Sequence, residues 1–312
     1  MRAENTVFLF EYATCTTEEL PAKVAVEGVG MFKTLFDGFE RPVSFYRHPN
    51  YLDAFREYLE RSEFVLAIAP ETDMELYRLT KLIEDSDCRN LGSNSKAVKL
   101  ASDKLLTYKR LGNLVPKTEL FKGTTSLDFP LIAKPRDGVS CDGVMLVRNE
   151  DELKEVPHGY LVQEYMPGRP MSASVIVGEE ARIISINTQE LVGFEYLGAK
   201  LPLNHSNTEE IIEAVTKVHG LFGYIGVDFV LADGRPVIIE INPRPTTPII
   251  GLNTALGINV SELILKNYKR EKIPRIKPEK TVQIKKTRSN SGFVSHDGYS
   301  IEIEEIHEDI DL

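Results

Sequence analysis

The chain has 312 residues, an ordinary mix of apolar and charged side chains, and a formal net charge of -10. That length calls for two or three subdomains, and the acidic balance speaks against a nucleic-acid partner, which needs a basic face. No apolar run approaches the ~20 residues that span a bilayer, and Met1 to Tyr12 is too short in apolar residues for a signal peptide, so a cytoplasmic protein without a membrane partner is expected. Cys15, Cys88 and Cys141 are few and unpatterned, as free packed thiols are. The six histidines form no pair at metal-ligand spacing.

Thr6 to Phe10 is a continuous apolar run, the pattern of a parallel strand buried on both faces. Helical spacing follows over Glu18 to Asp37. Pro42 to Tyr46 predicts a second strand, Tyr51 to Ser62 a helix, Glu63 to Ala69 a buried strand ending at Pro70, and Met74 to Glu84 an amphipathic helix. This alternation defines a doubly wound α/β unit of about ninety residues, with no G-x-G-x-x-G after its first strand.

A helix is predicted over Ser95 to Leu111, with Ser93 or Asn94 as its cap and Lys104 upon it. From Pro116 the grain changes to short strands. Leu131 to Pro135 carries Lys134, and Gly143 to Val147 returns. Between them, Arg136 to Gly143 has Gly138 and Gly143 around small polar residues; such a loop can fold over phosphates, or be a plain hairpin loop. Tyr160 to Gly168 is a strand running into a turn, and further strands cover Met171 to Val177 and Ala181 to Asn187. Thr208 to Leu221 and Val260 to Lys269 are helical. Beyond Ile273 the chain turns basic (Lys277, Lys280, Lys285, Lys286, Arg288) and then acidic. It allows a hairpin of Thr281 to Ile284 with Tyr299 to Ile306, or a loose tail with solvated charges.

The most informative stretch is Val237-Ile238-Ile239-Glu240-Ile241-Asn242-Pro243-Arg244-Pro245. On a strand, Glu240 and Asn242 point to one face, and Pro243 ends the ladder with Arg244 at its exit. Upstream, Gly226 to Ala232 reads as the partner strand, with a turn at Asp233-Gly234. That hairpin sets Asp228 opposite Glu240 and Asn242, three oxygen donors on one face. Hard divalent cations take such donors together with substrate phosphates, and a guanidinium binds phosphate oxygens in a fork. The bland alternative is a solvated sheet edge in which Arg244 pairs with Glu240.

Taken together and in order, Lys104, Lys134 before its glycine loop, Gln163-Glu164-Tyr165, Asp228, and Glu240-x-Asn242-Pro243-Arg244 resemble the ATP-grasp superfamily of carboxylate–amine ligases. The resemblance implies a pre-ATP-grasp Rossmann-like domain (1–93), then an ATP-grasp domain of two α+β subdomains (94–168 and 169–275), leaving 276–312 as a tail. It further implies ATP, with Lys104 and Lys134 on its α- and β-phosphates. Gln163, Glu164 and Tyr165 would read adenine and ribose, and Asp228, Glu240 and Asn242 would hold Mg²⁺ or Mn²⁺. Arg244 would act on the γ-phosphoryl group. Phe8 to Ala13, Ile68 to Glu71, Asn90-Leu91-Gly92 and Thr246-Thr247 are similar to a narrower archaeal subgroup, the tyramine–L-glutamate ligases of methanofuran biosynthesis. That likeness implies small-molecule partners, an amino acid and an amine, while another amino-acid or amine ligase and a phosphotransferase remain the competing readings. A homodimer is one expectation for the assembly. Thr188 stands where the subgroup would carry a basic residue, so Arg182 or Lys200 is expected to replace it, beside Asn187 and Gln189 as substrate contacts. Glu11, ending the first strand, is either an ammonium ligand or a helix cap.

Overall fold

Both faces of the first strand are covered. In the computed structural model, which describes residues 3–138, 142–204 and 208–307, β1 (Ala3–Glu11) sends Val7 and Leu9 into one core and Phe8 and Phe10 into another. The chain continues through α1 (Tyr12–Cys15), α2 (Ala22–Gly38), β2 (Pro42–Val43), α3 (Tyr51–Arg61), β3 (Ser62–Ile68), α4 (Glu75–Glu84) and β4 (Arg89–Asn90). All pairings are parallel, in the order β2-β1-β3-β4. The C-terminal ends of β1 and β3, where open α/β sheets bind ligands, carry Glu11 and, three residues beyond Ile68, Glu71.

The single helix expected from Ser95 to Leu111 is two, α5 (Ser95–Ala101) and α6 (Lys104–Leu111). Asn94 caps the first, accepting from the Ala97 N–H at 2.9 Å. Asp103 interrupts the run because its carboxylate accepts from the N–H groups of Leu105 and Leu106, starting a new helix. Lys104 becomes the first residue of that helix, which fixes where its side chain leaves the backbone.

Four short strands follow: β5 (Thr118–Leu120), β6 (Leu131–Lys134), β7 (Met145–Val147) and, after the turn of helix α7 (Glu150–Leu153), β8 (Leu161–Glu164). They form an antiparallel sheet in the order β5-β8-β6-β7. Its core of Phe121, Leu131, Val147, Leu153 and Val162 is separate from the others.

The next strands are β9 (Arg169–Val177), β10 (Ala181–Thr188), β11 (Glu190–Val192) and β12 (Glu195–Leu201). Helix α8 (Glu209–Lys217) then leads to β13 (Gly223–Ala232) and β14 (Arg235–Asn242), before α9 (Ile249–Leu256) and α10 (Val260–Tyr268). A central antiparallel sheet runs β10-β9-β13-β14. The C-terminal residues do not stand apart as a tail. β15 (Thr281–Thr287), β16 (Val294–His296) and β17 (Tyr299–Ile306) join β11 and β12 in a five-stranded sheet, β11-β12-β15-β17-β16. Val282, Ile284 and Ile301 are fully buried in the same core as Val7, Leu9 and Leu66 of the N-terminal sheet. A boundary at 275 therefore divides one core, because apolar strand faces bury against whatever apolar face is near. Among the described residues, no single helix is long and apolar enough to cross a membrane.

Candidate active site

The β13–β14 hairpin turns at Asp233-Gly234, both with positive φ (49° and 74°), the conformation that two-residue hairpin turns require. Its register sets Asp228 opposite Glu240 and Gly226 opposite Asn242. Asn242 Nδ2 donates to Asp228 Oδ2 at 3.0 Å, so the three predicted oxygen-bearing side chains do share one face. Gly226 leaves room there: a Cβ on it would lie 2.4 Å from Thr246 Cγ2, in the loop that carries Arg244.

Lys104 arrives from α6 and places Nζ 3.0 Å from Glu240 Oε1 and 3.0 Å from the Gly138 carbonyl oxygen. Burial opposes its charge, but the Glu240 carboxylate holds its ammonium above the usual range. Arg136, just past Lys134, clamps Asp103 through Nε and Nη2. The glycine loop is thus tied to the start of α6. Gly138 and Gly143 adopt φ of 121° and 70°, while 139–141 of that loop lie outside the described residues.

Lys134 is buried at the end of β6 and donates to Gln163 Oε1 at 2.9 Å; Gln163 Nε2 in turn donates to Thr118 Oγ1 at 2.8 Å. Two backbone donors of the segment expected to read adenine are engaged within the sheet. The Glu164 and Tyr165 N–H groups bond the carbonyl oxygens of Lys117 and Pro130, because β8 is an interior strand whose amides serve its neighbours. The Gln163 side chain orients Lys134, and the Glu164 carboxylate lies 3.0 Å from Lys117 Nζ. What this segment offers a base is carbonyl oxygen and the half-exposed Tyr165 ring.

Arg244 does not pair with Glu240. Its Nη2 donates to Glu71 Oε2 at 2.8 Å and its Nη1 to the Pro245 carbonyl oxygen at 3.1 Å. Burial works against its charge, yet Glu71 holds it protonated beyond its usual value. Glu71 has no role assigned from the sequence, although it ends one of the stretches similar to the archaeal subgroup and lies just past a parallel strand, where open α/β sheets bind ligands.

The outer candidates divide. Gln189 Nε2 donates to Asp228 Oδ1 at 2.7 Å, inside the cluster. Asn187 is fully buried and spends its amide on Ser185, Ser172 and Ser174, so it faces protein rather than substrate. Arg182 is exposed against Glu180 at the opposite end of β10 from Thr188 and is not brought to the site. Thr188 Oγ1 accepts from the Lys200 backbone N–H at 2.8 Å. Glu11 is a helix cap: its carboxylate accepts from Ala13 N–H, Thr14 N–H and Thr14 Oγ1. Burial, against those bonds, raises its pKa.

Asp228 is the strained charge. Burial first, and the neighbouring Glu240 second, push its carboxyl up to about 7 despite the amide bonds from Asn242 and Gln189. Neighbouring carboxylates oppose each other's ionisation, and the Lys104 ammonium already meets Glu240. Among the described residues no three Asp, Glu, His or Cys side chains gather as a metal site. The chain therefore offers two carboxylates and an amide, and a hard ion held there would complete its shell from a ligand's oxygens.

Comparisons with known proteins identify the family. A family model described as an ATP-grasp domain matches residues 101–248, and a pre ATP-grasp domain model matches residues 34–98. The chain is 32% identical over 296 residues to the tyramine–L-glutamate ligase of Methanocaldococcus fervens, covering 86% of this chain and 95% of that protein. It is 34% identical over 226 residues to its counterpart in Methanocaldococcus jannaschii, 71% of this chain and 68% of that one. A solved ATP-grasp superfamily protein from Archaeoglobus fulgidus aligns with a TM-score of 0.82 at 36% identity, over 96% of this chain and 99% of its own. The chain belongs to the ATP-grasp family, and within it to the ADP-forming carboxylate–amine ligases. ATP-grasp enzymes use ATP and a divalent metal, and Asp228, Glu240 and Asn242 fit such an ion by donor type and by sharing one face of the hairpin.

Proposed function

We propose that this enzyme joins the γ-carboxylate of L-glutamate to the amine of tyramine, a step of methanofuran biosynthesis, with Mg²⁺ or Mn²⁺. The observation that carries the reading is that similarity to a tyramine–L-glutamate ligase runs along 95% of that protein, beyond the stretch that handles nucleotide.

The γ-carboxylate attacks the terminal phosphorus of ATP, ADP leaves, and the resulting acyl phosphate accepts the amine, releasing phosphate as the amide forms. A carboxylate is a poor acyl donor until phosphorylated, because its leaving group would otherwise be oxide. Arg244, held by Glu71, neutralises charge on the phosphoryl group in transfer. Lys134, oriented by Gln163, and Lys104 bind the other phosphates as point charges. A divalent ion held by Asp228, Glu240 and Asn242 would supply neutralisation of the phosphate charge during transfer. The Lys104 ammonium stands 3.0 Å from Glu240 Oε1, at the edge of the face from which the ion would be held. Water must be kept out, since it would hydrolyse the acyl phosphate, and the separately packed β5–β8 subdomain is the element suited to cover the site.

The test is to incubate the protein with ATP, Mg²⁺, L-glutamate and tyramine and to seek by mass spectrometry an amide lighter than its components by one water. ADP release that needs glutamate but no amine would remove the ligase reading. Amide formed only with a different acid or amine would remove the assigned substrates.

A further inference from the structure

Glu27, on α2, is a carboxylate that the reaction described above does not use. Its Oε1 accepts from Lys286 Nζ on β15 at 2.6 Å, and its Oε2 accepts from the hydroxyl of Thr247. The Lys286 ammonium also lies over the Tyr196 ring, 5.7 Å from its centre. The Lys286 and Glu27 side chains are 5% and 14% exposed, and Thr247 is buried. Such a pair is a poor source of stability, because apolar side chains of similar volume often serve as well. What it does define is position. One carboxylate ties α2, β15 and the loop after β14 together at a single point.

That loop is the one that carries Arg244. It leaves β14 at Asn242 and enters α9, where the Ile250 N–H bonds the Thr247 carbonyl oxygen at 3.1 Å. Pro243, Pro245 and Pro248 fix the backbone φ at three of its positions. Thr246 packs against Gly226 of β13, where a Cβ would collide with it. The Arg244 guanidinium folds back on the same segment, donating to the Pro245 carbonyl oxygen at 3.1 Å. Glu71 holds Arg244 at one end, and Glu27 holds Thr247 at the other. A segment this stiff passes a displacement of Thr247 on to Arg244, because few of its torsions are free to absorb it.

We propose that Glu27, itself set by Lys286, is a positioning residue for phosphoryl transfer, acting through Thr247 on the Arg244 guanidinium. The inference rests on the role given to Arg244 above. Glu27 and Lys286 lie outside both stretches that the family models match. The C-terminal sheet thus takes part in the working of the site without supplying a group to the reacting atoms.

T247V removes the donated hydrogen bond and leaves the Glu27–Lys286 pair whole, whereas T247S keeps a hydroxyl. Both are compared with E27Q, R244A and the wild type for ADP release with ATP, Mg²⁺, L-glutamate and tyramine. T247V and E27Q are expected to lower kcat about tenfold with the KM for ATP within about twofold, and T247S to stay near wild type. Calorimetric affinities for ADP and for the non-hydrolysable analogue AMP-PNP, each with Mg²⁺, give a readout that needs neither assigned substrate. T247V and R244A are each expected to reduce the preference for AMP-PNP over ADP by about fivefold. Wild-type kcat or undiminished preference in T247V, beside losses in R244A, would overturn the positioning assignment and spare Arg244. Loss of the cooperative thermal melt in T247V would show that the link serves the fold and would overturn it likewise. R244A with unchanged rate and preference would remove the role of Arg244 itself, and this inference with it.

Discussion

Arg244 and Glu71 form a buried ion pair, Nη2 to Oε2 at 2.8 Å, that fastens the exit of the metal hairpin to the ligand-binding edge of the parallel sheet. Neither group is fully used. Glu71 Oε1 and Arg244 Nε are buried without partners among the described residues, so the pair fixes the guanidinium while keeping one of its N–H donors free. Removing either partner strands a buried charge, which costs ~3–5 kcal/mol, whereas removing both does not add up. Glu71→Ala and Arg244→Ala are each expected to lower the denaturant midpoint strongly, and the double variant to fall well short of their sum. Additive losses would mean that the pair does not act as a unit.

For catalysis, Arg244→Ala is expected to lower kcat by ~10²–10³ while ADP affinity, read by calorimetry, stays near wild type. A fully active variant would contradict its role on the phosphoryl group.

Lys104 and Glu240 make a second long-range contact, at 3.0 Å. Lys104→Met takes away a cation proposed to bind phosphate and should raise the KM for ATP by ~10-fold or more. Glu240→Gln should instead raise the Mg²⁺ concentration needed for half-maximal rate. If both variants shift only the ATP term, Glu240 does not hold the ion.

Asp228 sets a pH dependence. Its native value of about 7 exceeds the ~3.9 of an unfolded chain. Between those limits the folded protein binds the extra proton, so this site's contribution to stability is lost as pH rises, by up to ~1.4 kcal/mol per unit. Metal-free Asp228→Asn should therefore lose less stability than wild type between pH ~5 and ~7, as followed by thermal melts. Parallel profiles would show that Asp228 is ionised throughout.

The C-terminal strands bear on folding as well. Ile284 is fully buried in the core shared with the N-terminal sheet, so Ile284→Ala should cost ~2–5 kcal/mol. Removal of residues 281–307 should give a chain that fails to fold cooperatively by circular dichroism, where a true tail would be dispensable.

Local rules carry much of this molecule. The apolar run of β1 announces a strand covered on both sides, and period two along Val237 to Asn242 with a turn at Asp233-Gly234 is enough to align Asp228 with Glu240. Those are short-range facts, set by alternation along a strand and by which residues tolerate positive φ. No such rule reaches from Arg244 to Glu71, from Lys104 to Glu240, or from Lys286 to Glu27. The break at Asp103 escapes a helical periodicity reading for a related reason, since a cap is a competition between one side chain and the backbone. The sequence alone therefore determined the parallel N-terminal unit, the family, and the hairpin that carries its oxygen donors. Only the tertiary structure decided which counter-charge each donor meets, and that the C-terminal strands pack into the core shared with the N-terminal sheet instead of trailing into solvent. The reason is physical: charges separated by most of the chain become neighbours only when distant apolar faces pack together, and local pattern does not record which faces those are.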